Sequence, residues 1–251
     1  MAIEQLKDPK TLGLSFVGGI LPALIWLWFW LKEDKENPEP KGLLFLTFVL
    51  GMIAVVIVLP LEKIASGLIT NKVNLTLTLA TLEESIKYLA ALVIALRSKY
   101  VDEPADFAIY MITAALGFAA LENFLFLIQP ISLNDNVVSI LTGNLRFLGA
   151  ILLHTIASAI VGISLGLAFF KTRSIKRFYL VIGLITAIAL HTIFNFYIIR
   201  SEGENFMQVF GFLWVTTIMV LLIFEKLRRM SPNWKPDETT TATPNPILAI
   251  K

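Results

Sequence analysis

The chain contains no cysteine, which excludes disulfides, thiolate nucleophiles and cysteine-ligated metals. Histidine is nearly as scarce, with only His154 and His191. Charged residues make up 16% of the sequence, against about 25% in a soluble domain. The formal net charge of +2 is too small to point to nucleic acid. Apolar residues reach 56% and mean hydropathy is +0.75, so lipid is the expected solvent. The run from Leu12 to Leu31 is too long for the apolar part of a signal peptide, and Glu4 and Asp8 precede it. It reads as a spanning helix rather than a cleaved leader.

Seven segments carry the roughly 20 apolar residues that a spanning helix requires: 12–31, 43–61, 75–96, 107–128, 145–170, 178–199 and 206–224. The expectation is an all-α polytopic bundle of seven or eight spanning helices, forming one transmembrane domain over residues 1–230. Its connections are short and polar, such as KEDKENPEPK (32–41) and KTRSIKR (171–177). Residues 231–251 are rich in Thr, Pro and Asn and read as a disordered tail. The tryptophans Trp26, Trp28 and Trp30 read as interface anchors. Lys and Arg in the connections divide six to fourteen between the two sides, which predicts the N-terminus outside and the C-terminus cytoplasmic in a cell membrane.

The informative residues are those that lipid disfavours. Glu83, Glu84, Lys87, Glu122, His154 and His191 fall inside predicted spans, together with Asn123 and Asn195. Each ionisable side chain at the bilayer centre costs about 2.5–3.5 kcal/mol on insertion scales, so such residues face a bundle interior. Counted from the same side, Glu83, Glu122, His154 and His191 lie about six to nine residues deep, a layer roughly 9–14 Å below the surface. In addition, His154 shares a four-residue spacing with Ala150, Ser158, Gly162 and Gly166, and His191 with Gly183, Ala187 and Asn195. Small residues at that spacing mark packing faces. Three Glu against one Lys leave negative charge to be met by protons or by a bound cation. Neutral His with carboxylate suits zinc, so the layer is equipped for carboxylate-activated or metal-activated water. Lys87 also reads as a plain ion-pair partner, and Asn123 as a cross-helix hydrogen-bonding residue.

Other chemistries fail. No Asp lies in a predicted span, which excludes an aspartyl pair, and HExxH is absent. GISLG at 162–166 fits the G-x-S-x-G nucleophile pattern, but Ser164 is ten residues beyond His154 on the same helix. That is roughly 15 Å away, so the glycines read as helix packing.

The ordered motifs resemble the PrsW family of intramembrane proteases, within the broader superfamily of CAAX-prenyl-protease and bacteriocin-processing membrane proteins. They are EESIK (Glu83, Glu84, Lys87), the FxxxE of FAALEN (Phe118, Glu122, Asn123), His154 in LLHTIAS and the HxxxN of HTIFN (His191, Asn195). They occupy four successive helices over about 75–199. The prenyl-protease branch carries His where this chain has Glu122, and this chain has His154 on the next helix instead. The resemblance implies hydrolysis of peptide bonds in membrane-tethered proteins such as an anti-sigma factor, near the outer face. Under it, Glu83 is expected as the general base and Glu84 as a second carboxyl paired with Lys87. Glu122, His154 and His191 are expected to hold the water or a zinc ion, and Asn195 to donate to the oxyanion. Three other readings compete, one of them a proteolytically dead scaffold or immunity protein, against which the complete acid–base set argues. A zinc-dependent membrane lipid hydrolase of the ceramidase-like kind typically uses three His and an Asp. A transporter or proton relay more often shows repeat symmetry or broken helices.

Overall fold

A computed structural model describes residues 8–34, 37–132, 149–201 and 206–231. These form seven α-helices: α1 (Pro9–Glu33), α2 (Lys41–Leu68), α3 (Lys72–Ala91), α4 (Asp106–Ser132), α5 (Ile151–Leu167), α6 (Arg173–Ser201) and α7 (Phe206–Arg229). No strand occurs among the described residues. The expected tail, except Ser231, and residues 145–148 of the fifth predicted span lie outside them.

Local rules explain where the helices begin. Asp8 caps α1 by accepting from the backbone N–H of Lys10 and Thr11, with Pro9 in the first turn. Asn71 caps α3 by accepting from Asn74 N–H at 3.1 Å, which sets the register of the helix that carries Glu83 and Glu84. At its far end α3 runs into five π-helical residues, Leu92–Leu96. Pro60 lies inside α2, which runs on to Leu68 instead of ending at residue 61. In lipid an unpaired backbone group costs several kcal/mol, so a spanning helix tends to continue past proline.

Among the described residues, five helices are long and apolar enough to cross a membrane: α1, α2, α4, α6 and α7. The chain is therefore an all-α, multi-pass bundle, with five rather than seven helices meeting the criterion. The other two fall short for evident reasons. α3 holds Glu83, Glu84 and Lys87 within 20 residues, and α5 is only 17 residues long. Neither needs a wholly apolar surface, because α5 is buried along nearly its whole length and Glu83, Glu84 and Lys87 of α3 are buried.

The core is built around α4 and α5, with α1 and α2 packed on α4, and α6 on α5. Close approach depends on glycine. A Cβ on Gly51 would collide with the Ala114 carbonyl, and one on Gly117 with the Phe48 carbonyl, so α2 and α4 touch backbone to backbone. Gly162 meets Ala108 Cα at 2.5 Å from its would-be Cβ, and Gly183 sits against Ser164. Both observations give GISLG the packing role expected of it. Outward faces are apolar, as with Phe16, Trp28, Phe45, Val56 and Ile64, and these suit lipid. The tryptophans divide. Trp28 is exposed, with Lys32 above its ring, whereas Trp30 is buried and packs edge-on against Phe224, making it a core residue rather than an anchor.

Gly117→Val is expected to destabilise the bundle by about 1–3 kcal/mol or more through overpacking. Gly42→Ala, whose Cβ meets nothing within 4 Å, should be near neutral. Thermal unfolding of both variants in detergent tests this, and equal melting temperatures would contradict the packing assigned to α2 and α4.

Candidate active site

Four helices converge on one polar cluster. α3 supplies Glu83, Glu84 and Lys87, α4 supplies Glu122, α5 supplies His154 and α6 supplies His191. All are buried except Glu122, which is half-buried. The i, i+3 and i, i+4 spacings on α3 bring Lys87 over both glutamates.

Lys87 is the hub. Its Nζ lies 3.2 Å from Glu83 Oε2, 2.8 Å from Glu84 Oε1 and 2.7 Å from His154 Nδ1. Three donors thus meet three acceptors, and the Phe118 ring lies 4.3 Å from the ammonium on another side. An ammonium can only donate, so His154 Nδ1 accepts and the imidazole proton resides on Nε2. That N–H donates to Glu122 Oε2 at 2.8 Å. His191 has the opposite tautomer. Its Nδ1 lies 2.8 Å from Glu84 Oε1 and donates to it. The lone pair of a neutral His191 is then on Nε2, which faces Glu83 Oε2 across 3.9 Å.

The two carboxyls of EESIK therefore differ in commitment. Glu84 is fully buried and held by Lys87, by His191 and, at 3.4 Å, by the Ser158 hydroxyl. Glu83 bonds to Lys87 and shares a side-chain hydrogen bond with Glu62, and its Oε2 also faces His154 Nδ1 at 3.8 Å and His191 Nε2 at 3.9 Å. The two imidazole rings meet edge to face with centroids 5.2 Å apart.

Glu83, Glu84, His154 and His191 each offer a ligand atom within 4.8 Å of the others, a grouping able to hold a metal ion. Two nitrogens and two carboxylates fit a borderline divalent metal of the zinc type. Glu122 stands outside this set and engages His154 from the far ring nitrogen. Asn123 is buried beside Glu122 on α4. Asn195 is half-buried one turn beyond His191, and makes no hydrogen bond to the cluster.

Two contributors were not singled out by spacing alone. Ser158 appeared only as a small residue on the face of His154, and its hydroxyl reaches Glu84. Glu62 falls just beyond the predicted span 43–61. The continuation of α2 past Pro60 brings its carboxyl into electrostatic range of Glu83, Glu122 and Lys87.

The chain matches the model of the PrsW family of intramembrane metalloproteases over residues 39–223. It is similar to proteins named Protease PrsW in several bacteria. Identity is 25% over 187 residues with that of Geobacillus kaustophilus, covering 73% of this chain and 79% of the relative. It is 29% over 185 residues with that of Bacillus subtilis, covering 71% and 79%. It is 27% over 215 residues with that of Oceanobacillus iheyensis, covering 84% and 92%. No solved structure matches the chain.

Lys87→Met should destabilise the protein by about 3–5 kcal/mol, because it strips the ammonium from two buried carboxylates. Thermal unfolding in detergent measures this, and an unchanged melting temperature would show that Lys87 does not hold the cluster together.

Proposed function

Because the chain belongs to the PrsW family of intramembrane metalloproteases, we propose that the Glu83–Glu84–Glu122–His154–His191 cluster is its hydrolytic site. The protein is an intramembrane protease, and its substrates are proteins in the membrane. The observation that carries the site assignment is the pair formed by Glu83 Oε2 and the Nε2 lone pair of His191, facing each other at 3.9 Å. A water or a metal ion fits between two such groups.

Peptide hydrolysis adds a water oxygen to the carbonyl carbon, breaks the C–N bond and moves a proton to the leaving nitrogen. Glu83 is the base in this reading, since its Oε2 is the less committed of the two buried carboxyls of α3. It takes the proton from water and returns it to the amine. Glu84 holds His191 through Nδ1 and keeps Nε2 directed at the reaction centre. Glu122 does the same for His154 through Nε2, fixing its tautomer. A zinc ion held by His191 Nε2 and Glu83, and by His154 Nδ1 where the Lys87 ammonium gives way to it, would polarise the carbonyl and acidify the attacking water. Asn195 is one turn from His191, within reach of an oxyanion role.

The placement of the chain follows from the same reading. Seven helices span, with α5 crossing as an internal helix and α3 turning Glu83, Glu84 and Lys87 inward while exposing Val73, Leu77 and Leu89. The N-terminus is outside, the C-terminus is cytoplasmic, and the site lies in the outer half of the cell membrane. Membrane-tethered regulators cleaved near the outer face are the corresponding substrates. Lipid hydrolysis and transport give way to proteolysis, because neither is the activity of the family.

Glu83→Gln is expected to reduce cleavage of a single-span peptide by about 10²–10⁴-fold with an unchanged melting temperature. Glu84→Gln should lose activity and melting temperature together, because Glu84 is bound on three sides. Full activity in Glu83→Gln would contradict its role as base.

A further inference from the structure

The last turns of α2 bring one more carboxyl against the site. Gly51, Val55, Val58, Glu62 and Ala65 follow one another at steps of three or four residues, which places them on one helix face. Gly51, Val55, Val58 and Ala65 are buried, whereas Leu61, Lys63 and Ile64 are exposed. Glu62 therefore lies on the inward face of α2, half-buried among exposed neighbours. Two contacts fix that face. Gly51 leaves no room for a Cβ before the Ala114 carbonyl and so seats α2 on α4. Val58 packs in one cluster with Phe118 of α4 and Ala90 of α3.

Glu62 shares a side-chain hydrogen bond with Glu83. The value of this contact follows from how Glu83 is otherwise held. Lys87 Nζ at 3.2 Å, His154 Nδ1 at 3.8 Å and His191 Nε2 at 3.9 Å all lie around a single oxygen, Oε2. Of these only Lys87 bonds to it, and Lys87 is on the same helix. The terminal torsion of a glutamate is soft, so one such bond does not fix the plane of the carboxyl. Glu84, by contrast, is bound by Lys87, His191 and Ser158 on three helices. Glu62 gives Glu83 a second support, and from a different helix. When Glu83 is the carboxylate, as a base must be, the O–H of the pair is that of Glu62.

We propose that Glu62 is a positioning residue of the hydrolytic site, holding the Glu83 carboxyl from α2 so that Oε2 stays turned toward the two histidines. The inference rests on the reading of Glu83 as the base. What the position requires is a hydrogen-bond donor rather than a group that titrates. Glu62→Gln keeps a donor and satisfies it, whereas Glu62→Met keeps the bulk and removes the donor.

The test is cleavage of a single-span peptide by the full chain in detergent, with kcat and KM resolved and melting temperatures taken on the same samples. Glu62→Met is expected to lower kcat by about 10–100-fold, with KM unchanged and the melting temperature not lowered. Glu62→Gln should recover most of that loss. Glu62→Met added to Glu83→Gln should cost nothing further, because its effect passes through Glu83. Wild-type kcat in Glu62→Met, a Glu62→Gln variant equally slow, or a further loss in the double variant would overturn the proposal. So would a change confined to KM, which marks a substrate contact, or a fall in kcat matched by a lower melting temperature, which marks packing. Glu83→Gln separates this inference from the reading beneath it. If Glu83→Gln is slow while Glu62→Met is fast, only the role of Glu62 falls. If Glu83→Gln is as fast as wild type, the base assignment falls and the role of Glu62 with it.

Discussion

The site depends on one buried ammonium. Lys87 has no access to solvent, yet it reaches Glu83, Glu84 and His154 on two helices with bonds of 2.7–3.2 Å. A lone cation or carboxylate in this environment would cost several kcal/mol. Together they are tolerated, and their geometry sets the rest. Lys87 makes His154 accept through Nδ1 and so donate to Glu122, while Glu84 makes His191 donate and leaves its other nitrogen open. Lys87 and the Glu84 it holds thereby define the two tautomers and the direction in which each imidazole presents its lone pair. The cluster still contains more carboxylates than cations, and that surplus is what makes it receptive to a metal.

The scaffold is organised to permit this. A helix carrying Glu83, Glu84 and Lys87 cannot face lipid with those residues, so α3 packs against α2, α4 and α6. α5, the helix of His154, is buried nearly throughout. The glycines at 51, 117 and 162 bring α2 and α5 close to α4, drawing the polar side chains of separate helices within hydrogen-bonding distance. Outer helices such as α1 can then be almost wholly apolar on their exposed faces.

Much of this was legible in the sequence, because lipid makes polar residues expensive and hence informative. Glu83, Glu84, Glu122, His154 and His191 stand out in apolar runs, and their common depth foretells that they meet. Depth and spacing do not say which atom faces which. That Glu122 would engage His154 from behind, while Glu84 holds His191 and Glu83 faces both histidines, depends on rotamers and helix rotation. Helix ends were less legible. Pro60 and the charged Glu62–Lys63 pair suggest a stop, but backbone pairing in lipid carries α2 onward, and Glu62 joins the neighbourhood of the site as a result. Trp30 misleads in the opposite direction, since an aromatic near a helix end is a core residue when another helix covers it.

The account stands on the claim that His154 and His191, with the α3 carboxylates, form a single metal-competent hydrolytic centre. The most direct measurement is bound metal and peptide cleavage on the same detergent-purified samples of wild type and the His154→Ala/His191→Ala variant. The account predicts about one zinc per chain in the wild type, with zinc and cleavage lost together in the variant. Cleavage retained in the variant, or zinc retained without its histidines, would contradict it.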